Sequence, residues 1–346
     1  MLGDGNQAYV DSDLPEAIRI MQEVIRIEPR ASSAWSVLAQ CYSDMDQQEK
    51  AMQLRIMAAH LTHDADEWDR LARQSKERGY NQQALYCYRK VYSLDPSNVD
   101  ALWDRASLAK EMGEFRTARN AYMAILKRFP QDLTVLHELH TILVELSELP
   151  LCATLLQGAF DHHLAQYPSG PGNENGFGSM DLLLLADLYN VLGEHARAVD
   201  TIRRGTRWLQ GRLAQKYWDM CEDDREYDQP GWPPRPTTAE ANAMLAGNYE
   251  LDANARHRLA VARIKMGDLE EGKVRIHLFF ISLSLKESIQ LHANVVLGED
   301  VLDYSVLFAE IADAYFEREM YAEAKPIYEI LGGDPAVSMH RRSYVL

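Results

Sequence analysis

Three histidine pairs are the first residues whose types and spacing could do chemistry. His137 and His140 stand at i, i+3 in HELH, His60 and His63 do so in HLTH, and His162 and His163 are adjacent. Two imidazoles one helical turn apart can hold one side of a metal ion. A structural zinc site needs four ligands, however, and the hydrolytic helix motif is HExxH. Neither a third ligand nor that spacing accompanies these pairs, so metal binding is not expected. Arg203, Arg204, Arg207 and Arg212 form a basic run that could meet an acidic or phosphate partner. A solvated helix face is the reading preferred for it. No glycine-rich phosphate loop, nucleophile elbow or paired-carboxylate signature occurs in the sequence. No catalytic residue is assigned, no cofactor is expected, and the chain reads as a non-enzyme.

What positions these residues is a repeat. A small residue followed 12 residues later by a helix-ending Pro recurs as Ala17 to Pro29, Ala84 to Pro96 and Ala118 to Pro130. Ala84 and Ala118 are 34 apart, as are Pro96 and Pro130, and Ala17 and Ala51. Self-similarity at this period marks the tetratricopeptide repeat, a helix–turn–helix unit that buries its apolar face only by stacking on neighbours. With the closing Pro numbered 32, the third unit places Trp68, Leu71, Ala72 and Ser75 at positions 4, 7, 8 and 11. Gly79 follows at 15, then Ala84, Tyr88 and Val91 at 20, 24 and 27. The fourth unit supplies Leu102, Arg105, Ala106 and Ala109, then Gly113, Ala118, Tyr122 and Ile125. The second has Trp35, Leu38, Ala39, Tyr42, Ala51 and Ala58, with one residue lost before the third. Positions 4, 7, 8 and 11 share one face of the first helix, and 20, 24 and 27 answer on the second. Small residues at 8 and 20 mark where the helices come closest. Glycine at 15 suits a turn with positive φ, and proline ends the second helix.

The pattern continues more faintly. A fifth unit has Leu136, Leu139, His140 and Leu143, with its second helix expected to slip around Ala153 and Leu156. A sixth has Leu182, Leu185, Ala186, Tyr189, Gly193, Ala198 and Ile202. A seventh has Leu259, Ala260, Gly267, Gly272 and Ile276, and an eighth Phe308, Ile311, Ala312, Tyr315, Ala324 and Tyr328. Helix-to-helix packing is thus assigned to Ala17, Ala39, Ala51, Ala72, Ala84, Ala106, Ala118, Ala186, Ala198, Ala312 and Ala324. Residues 1–164 read as a first array of about five units, 165–180 as a Gly/Pro/Asn loop, and 181–213 as the sixth repeat. An acidic and proline-rich insertion, with CEDDREYD and QPGWPPRPTT, is expected at 214–250. Further repeats fill 251–335, and 336–346 reads as the start of a truncated unit. Both ends look cut, since solenoids close with polar capping helices.

Composition fits an all-α solenoid, a right-handed superhelix of helix–turn–helix units interrupted by loops. The chain has 346 residues, 47% of them hydrophobic, and few strand signals. The apolar stretch IHLFFISLSL is too short for a bilayer, and the amino end lacks the basic and apolar regions of a signal peptide. Cys41, Cys87, Cys152 and Cys221 are scattered without a CxxC, as suits a reducing compartment. Lys and Arg number 36 against 52 Asp and Glu, a net charge of −16. That balance argues against broad DNA binding and favours basic protein partners, though acidity also aids solubility alone.

Positions 2, 5, 9 and 12 of the first helix tend to line the inner groove of such repeats. They hold Ser33, Ser36, Gln40 and Ser43 in the second unit, and Asp66, Asp69, Arg73 and Lys76 in the third. The fourth has Asp100, Trp103, Ser107 and Lys110. The partner-binding groove is therefore placed at Ser36, Gln40, Asp66, Asp69, Arg73, Asp100, Trp103 and Ser107. Asp where a carboxylate clamp needs cations argues against a chaperone adaptor.

Three stretches carry a more specific likeness: DLPEAIRIMQEVIRIEPRASSAWSVLAQCY, AAHLTHDADEWDRLARQS and QALYCYRKVYSLDPSNVDALWDRASLAKEMG. Ala58-Ala59-His60-Leu61 with Trp68, then Tyr86-Cys87-Tyr88, goes beyond the generic repeat. In these the chain resembles the tetratricopeptide subunit of TFIIIC, the general transcription factor of RNA polymerase III, best from about Asp13 to Pro130. The resemblance implies a nuclear scaffold that joins other TFIIIC subunits and recruits TFIIIB to transfer-RNA and 5S genes. Its partners would be the TFIIB-related and SANT-domain subunits of TFIIIB, with DNA contact indirect or minor and no membrane or small-molecule substrate. The alternatives are a generic adaptor of a cell-cycle ligase or RNA-processing complex, and an enzyme whose catalytic domain lies elsewhere in a longer chain.

Overall fold

The computed structural model describes residues 1–172, 176–228, 247–275 and 300–332. The proline segment after Asp228, the IHLFFISLSL stretch and the truncated unit at 336–346 lie outside the described residues. Those described are helical, with no strand among them. In chain order the helices are α1 (Leu2–Val10), α2 (Leu14–Ile27), α3 (Ser32–Asp44), α4 (Gln48–Thr62) and α5 (Ala65–Glu77). Next come α6 (Asn81–Leu94), α7 (Val99–Glu111), α8 (Phe115–Leu126), α9 (Leu133–Glu145) and α10 (Leu149–Gln166). Then follow α11 (Ser179–Val191), α12 (His195–Leu209), α13 (Ala253–Met266), a helical stretch at 269–275, α14 (Asp300–Glu317) and α15 (Tyr321–Gly332). The chain forms two compact units that divide between Ser147 and Glu148.

In the first unit each helix packs on the next from α1 to α9, the nearest-neighbour stacking of a repeat solenoid. Ala17, Ala39, Ala51, Ala72, Ala84, Ala106 and Ala118 are all fully buried. Ala186, Ala198, Ala312 and Ala324 are buried in the same way in the second unit. Gly5 takes the same role in α1, where an added Cβ would sit 2.7 Å from Met21 Cε.

The turn at position 15 is more uniform than the residues there suggest. Gly79, Gly113, Gly193 and Gly267 have φ between 73° and 92°, and Ser12, Asp46, Ser147 and Glu319 have φ of 57–63°, so all eight lie in the left-handed region. The following amide then reaches back over the turn, as in Tyr80 N–H to Ser75 O at 2.8 Å and Glu114 N–H to Ala109 O at 2.8 Å. This is the Schellman closure of a helix. Asp46 and Gly79 are 33 apart, which locates the lost residue. First helices also start alike. Asp64, Asn98 and Asp132, spaced by 34, each accept an amide of the first turn, the usual work of an N-cap.

In α10, 18 residues long, Cys152, Ala153 and Leu156 are all buried. One expectation is corrected. Trp35 does not enter the core as Trp68 does; it stays half-exposed, its indole donating to Pro29 O at 2.9 Å.

Two stability tests follow from the packing. Ala118→Arg should cost about 1–3 kcal/mol or more, because a fully buried Ala leaves no room for the longer chain. Ser147→Gly should leave stability unchanged or raise it, whereas Gly113→Ala should lower it by about 1 kcal/mol, since only glycine takes positive φ without strain. Urea unfolding of the three variants checks both.

Candidate protein-binding face

The residues expected in the groove come from α3, α5 and α7, the first helices of their units. Asp66, Arg73 and Asp100 are exposed, as is Ser36, while Gln40, Asp69, Trp103 and Ser107 are half-buried. Asp69 is not free: Arg73 Nη2 lies 2.8 Å from its Oδ2. Lys110 Nζ is paired with Glu138 of α9 at 2.7 Å. Arg55 spans the units, donating to Gln40 and Ser43 at 3.4 Å and to Gln74 at 3.5 Å. Trp103 packs edge-on against Tyr122 at 5.3 Å, and Ser107 Oγ is 3.4 Å from the Tyr122 hydroxyl. The unpaired acids of this face are therefore Asp66 and Asp100, at the amino ends of α5 and α7. Counted over α1, α3, α5, α7 and α9, the first helices hold 11 carboxylates against five Lys and Arg.

The motif that singled out α4 to α6 has a physical basis. His60 Nε2 lies 2.8 Å from the Tyr86 hydroxyl, and its ring meets Trp68 edge-on at 4.8 Å. Trp68 in turn meets Tyr86 at 5.9 Å. One imidazole thus ties the second helices of two units to the first helix between them. Burial, then Lys90 and His63, hold the imidazole below its ordinary 6.5. Such a group favours the folded state fully above about 6.5 and progressively less as pH falls below it. The His60 resonance should titrate below 6.5, and Lys90→Gln should move it towards 6.5 in an NMR titration. Among the described residues no group of three or more His, Cys, Asp or Glu side chains is arranged to hold a metal ion.

The second unit overturns the reading of the basic run. Of its four arginines only Arg204 is exposed; Arg203 and Arg207 are buried and Arg212 nearly so. Their partners are the chain's own acids. Asp224, wholly buried, receives Arg263 in a two-pronged pair at 2.6 and 3.0 Å and Arg203 at 3.5 Å. Glu226, also wholly buried, sits between Arg212 at 2.9 Å and Arg207 at 3.6 Å. Arg275 engages Asp228, and Glu271 at 3.0 Å. The CEDDREYD segment, expected as part of an insertion, is a wedge that ties α12 to α13 and to 269–275. Tyr227 is buried with it and donates to Arg203 O at 3.3 Å. Burial pushes the Glu226 carboxyl up, and the two arginines pull it back. The Gly/Pro/Asn loop is likewise partly inside: Phe177 is fully buried against Phe160 at 5.2 Å, and the Trp208 indole donates to Tyr167 O at 2.6 Å. Asp224→Asn keeps the shape but leaves two buried guanidinium groups short of charge. It should cost about 3–5 kcal/mol, read as an early unfolding transition confined to the second unit.

Comparison with known proteins agrees with the repeat. A tetratricopeptide repeat family model matches residues 100–132. The transcription factor tau subunit sfc4 of Schizosaccharomyces pombe is 28% identical over 79% of this chain and 28% of its own length. General transcription factor 3C polypeptide 3 of Homo sapiens is 31% identical over 58% of this chain and 22% of its own. The transcription factor tau 131 kDa subunit of Saccharomyces cerevisiae is 23% identical over 95% of this chain and 39% of its own. The chain therefore spans well under half the length of these relatives. All three are transcription factor subunits, and the resemblance to the tetratricopeptide subunit of TFIIIC holds across them. Among the described residues no helix is long and apolar enough to cross a membrane.

Proposed function

We propose that this chain, a relative of the tetratricopeptide subunits of TFIIIC, is a nuclear, non-catalytic scaffold that holds other TFIIIC subunits and recruits TFIIIB to RNA polymerase III promoters. The observation that carries the recruiting role is the acid excess of the first helices, 11 carboxylates against five cations. An acid-rich helix layer suits basic segments that order only on binding, because charge attraction offsets the ordering cost without requiring a preformed partner. Asp66 and Asp100 are the acids available to such a segment, while Asp69 is already held by Arg73.

The test is a titration of the purified chain with the TFIIB-related and SANT-domain subunits of TFIIIB at two salt concentrations. Binding should weaken with salt. Asp66→Lys with Asp100→Lys should weaken it about tenfold or more, about 1.4 kcal/mol, and Asp69→Lys should do less. Indifference to all three substitutions in a folded chain would remove the acidic face from the recruiting role.

A further inference from the structure

The second helices of the first unit carry the opposite charge. Over α2, α4, α6 and α8 there are eight Lys and Arg against three carboxylates, whereas the first helices are net acidic. The asymmetry sharpens along the chain. Helices α6 and α8, of 14 and 12 residues, contain Arg89, Lys90, Arg116 and Arg119 and no Asp or Glu at all. At the chain-wide share of 52 acids in 346 residues, such a length would hold about four. Lys127 and Arg128 extend the basic surface past the end of α8. Both helices pack on α7 and turn their other sides to solvent, with Arg89, Arg116, Lys127 and Arg128 exposed.

From this we infer a second binding surface, on α6 and α8, for the phosphate backbone of duplex nucleic acid. Four of these cations, Arg89, Lys90, Arg116 and Lys127, are not consumed by the fold. Arg89 and Lys90 rest on the Tyr86 ring at 5.5 and 5.6 Å, and Arg128 reaches the Ser97 carbonyl at 3.4 Å while helping to hold the Asp95 carboxyl low. The nearby carboxylates have other partners: Glu114 accepts from Gln82 at 2.6 Å, and Asp95 accepts from the Ser97 amide at 2.9 Å. Beneath the surface, Arg105 lies half-buried with its Nε unpartnered; burial and Arg89 work against its charge, and Glu114 offsets them in part. An anion arriving there would relieve both.

The ligand class follows from what lies between the cations. Ser93 and Asn120 are exposed there, and hydroxyls and amides of this kind commonly bond phosphate oxygens. The exposed large hydrophobics nearby, Leu94 and Phe129, stand only at the helix ends, so the surface lacks the central apolar anchor typical of a peptide site. Arginine, which leads this set, forks naturally onto phosphate. The net charge of −16 does not forbid the contact. Helix axes lie about 8–10 Å apart and the Debye length is about 8 Å at physiological salt, so acids on the far side of the first helices are largely screened. This inference is independent of TFIIIB recruitment, which rests on the other helix layer, and it departs from the expectation that DNA contact is minor.

The experiment is fluorescence anisotropy of the whole chain against a labelled 20-base-pair duplex across a potassium chloride series, with labelled polyglutamate as a second probe. Binding to the duplex should fall steeply with salt. Joint replacement Arg89→Glu, Arg116→Glu, Lys127→Glu and Arg128→Glu should weaken it at least about tenfold and lower the log–log salt slope by about three to four. The control carries the same charge change on other surfaces: Arg19→Glu, Arg26→Glu, Arg70→Glu and Arg73→Glu. It should stay close to the parent in both readings. Circular dichroism melting confirms that both variants are folded. Arg89→Lys, Arg116→Lys and Arg128→Lys should retain most binding if either variant is unstable. Duplex binding indifferent to the first set, equal loss in the control, preference for polyglutamate, or no binding to either probe would each overturn the inference.

Discussion

The structure depends on how closely two helix axes can approach. At positions 8 and 20 the side chain must be small, and the paired residues run Gly5 with Ala17, Ala39 with Ala51, Ala72 with Ala84 and Ala106 with Ala118 in the first unit. Each is buried, so a methyl group or a hydrogen is what separates one backbone from the next. Close approach lets the larger side chains at positions 4, 11 and 24, such as Trp68 and Tyr88, fill the space to either side at interior density. The two compact units divide in the turn after α9, the one first helix whose position 8 holds a bulky residue, His140.

That constraint is local, which is why the repeat could be read from the amino acids. Spacing 12 and period 34 are imposed by two helices and one left-handed turn, and each leaves a residue type behind. The turn itself was only half legible. Gly79 and Gly113 announced it, but Ser12, Asp46, Ser147 and Glu319 adopt the same backbone with no glycine to betray it. Neighbouring packing over-determines the conformation there, and a Cβ is tolerated at a cost. The N-caps Asp64, Asn98 and Asp132 were a legible signal at the same period.

The acidic wedge was not legible, and the reason is long range. CEDDREYD and the arginines of α12 each resemble a solvated charge run when read alone. Only the fold brings Asp224 within reach of Arg203 and of Arg263, a residue 39 positions away along the chain. Local composition carries no record of such pairing. Charge that seemed available for a partner, on Arg203, Arg207, Asp224 and Glu226, is spent inside the second unit. The exposed acids and bases that matter for recognition are instead those the first unit leaves on its two helix layers.

Those layers have a consequence for encounters before contact. Net charges of about −6 and +5 on helix layers roughly 10 Å apart amount to a separation of about 50 elementary-charge ångströms. A single helix of this length, with half a charge at each end of some 20 Å, has about 10. The first unit is therefore a transverse dipole several times stronger than any of its helices. At low ionic strength, where screening is weak, a polycation and a polyanion drifting into its field would be turned to opposite sides, so sorting of the two begins in solution, before any side chain has touched either.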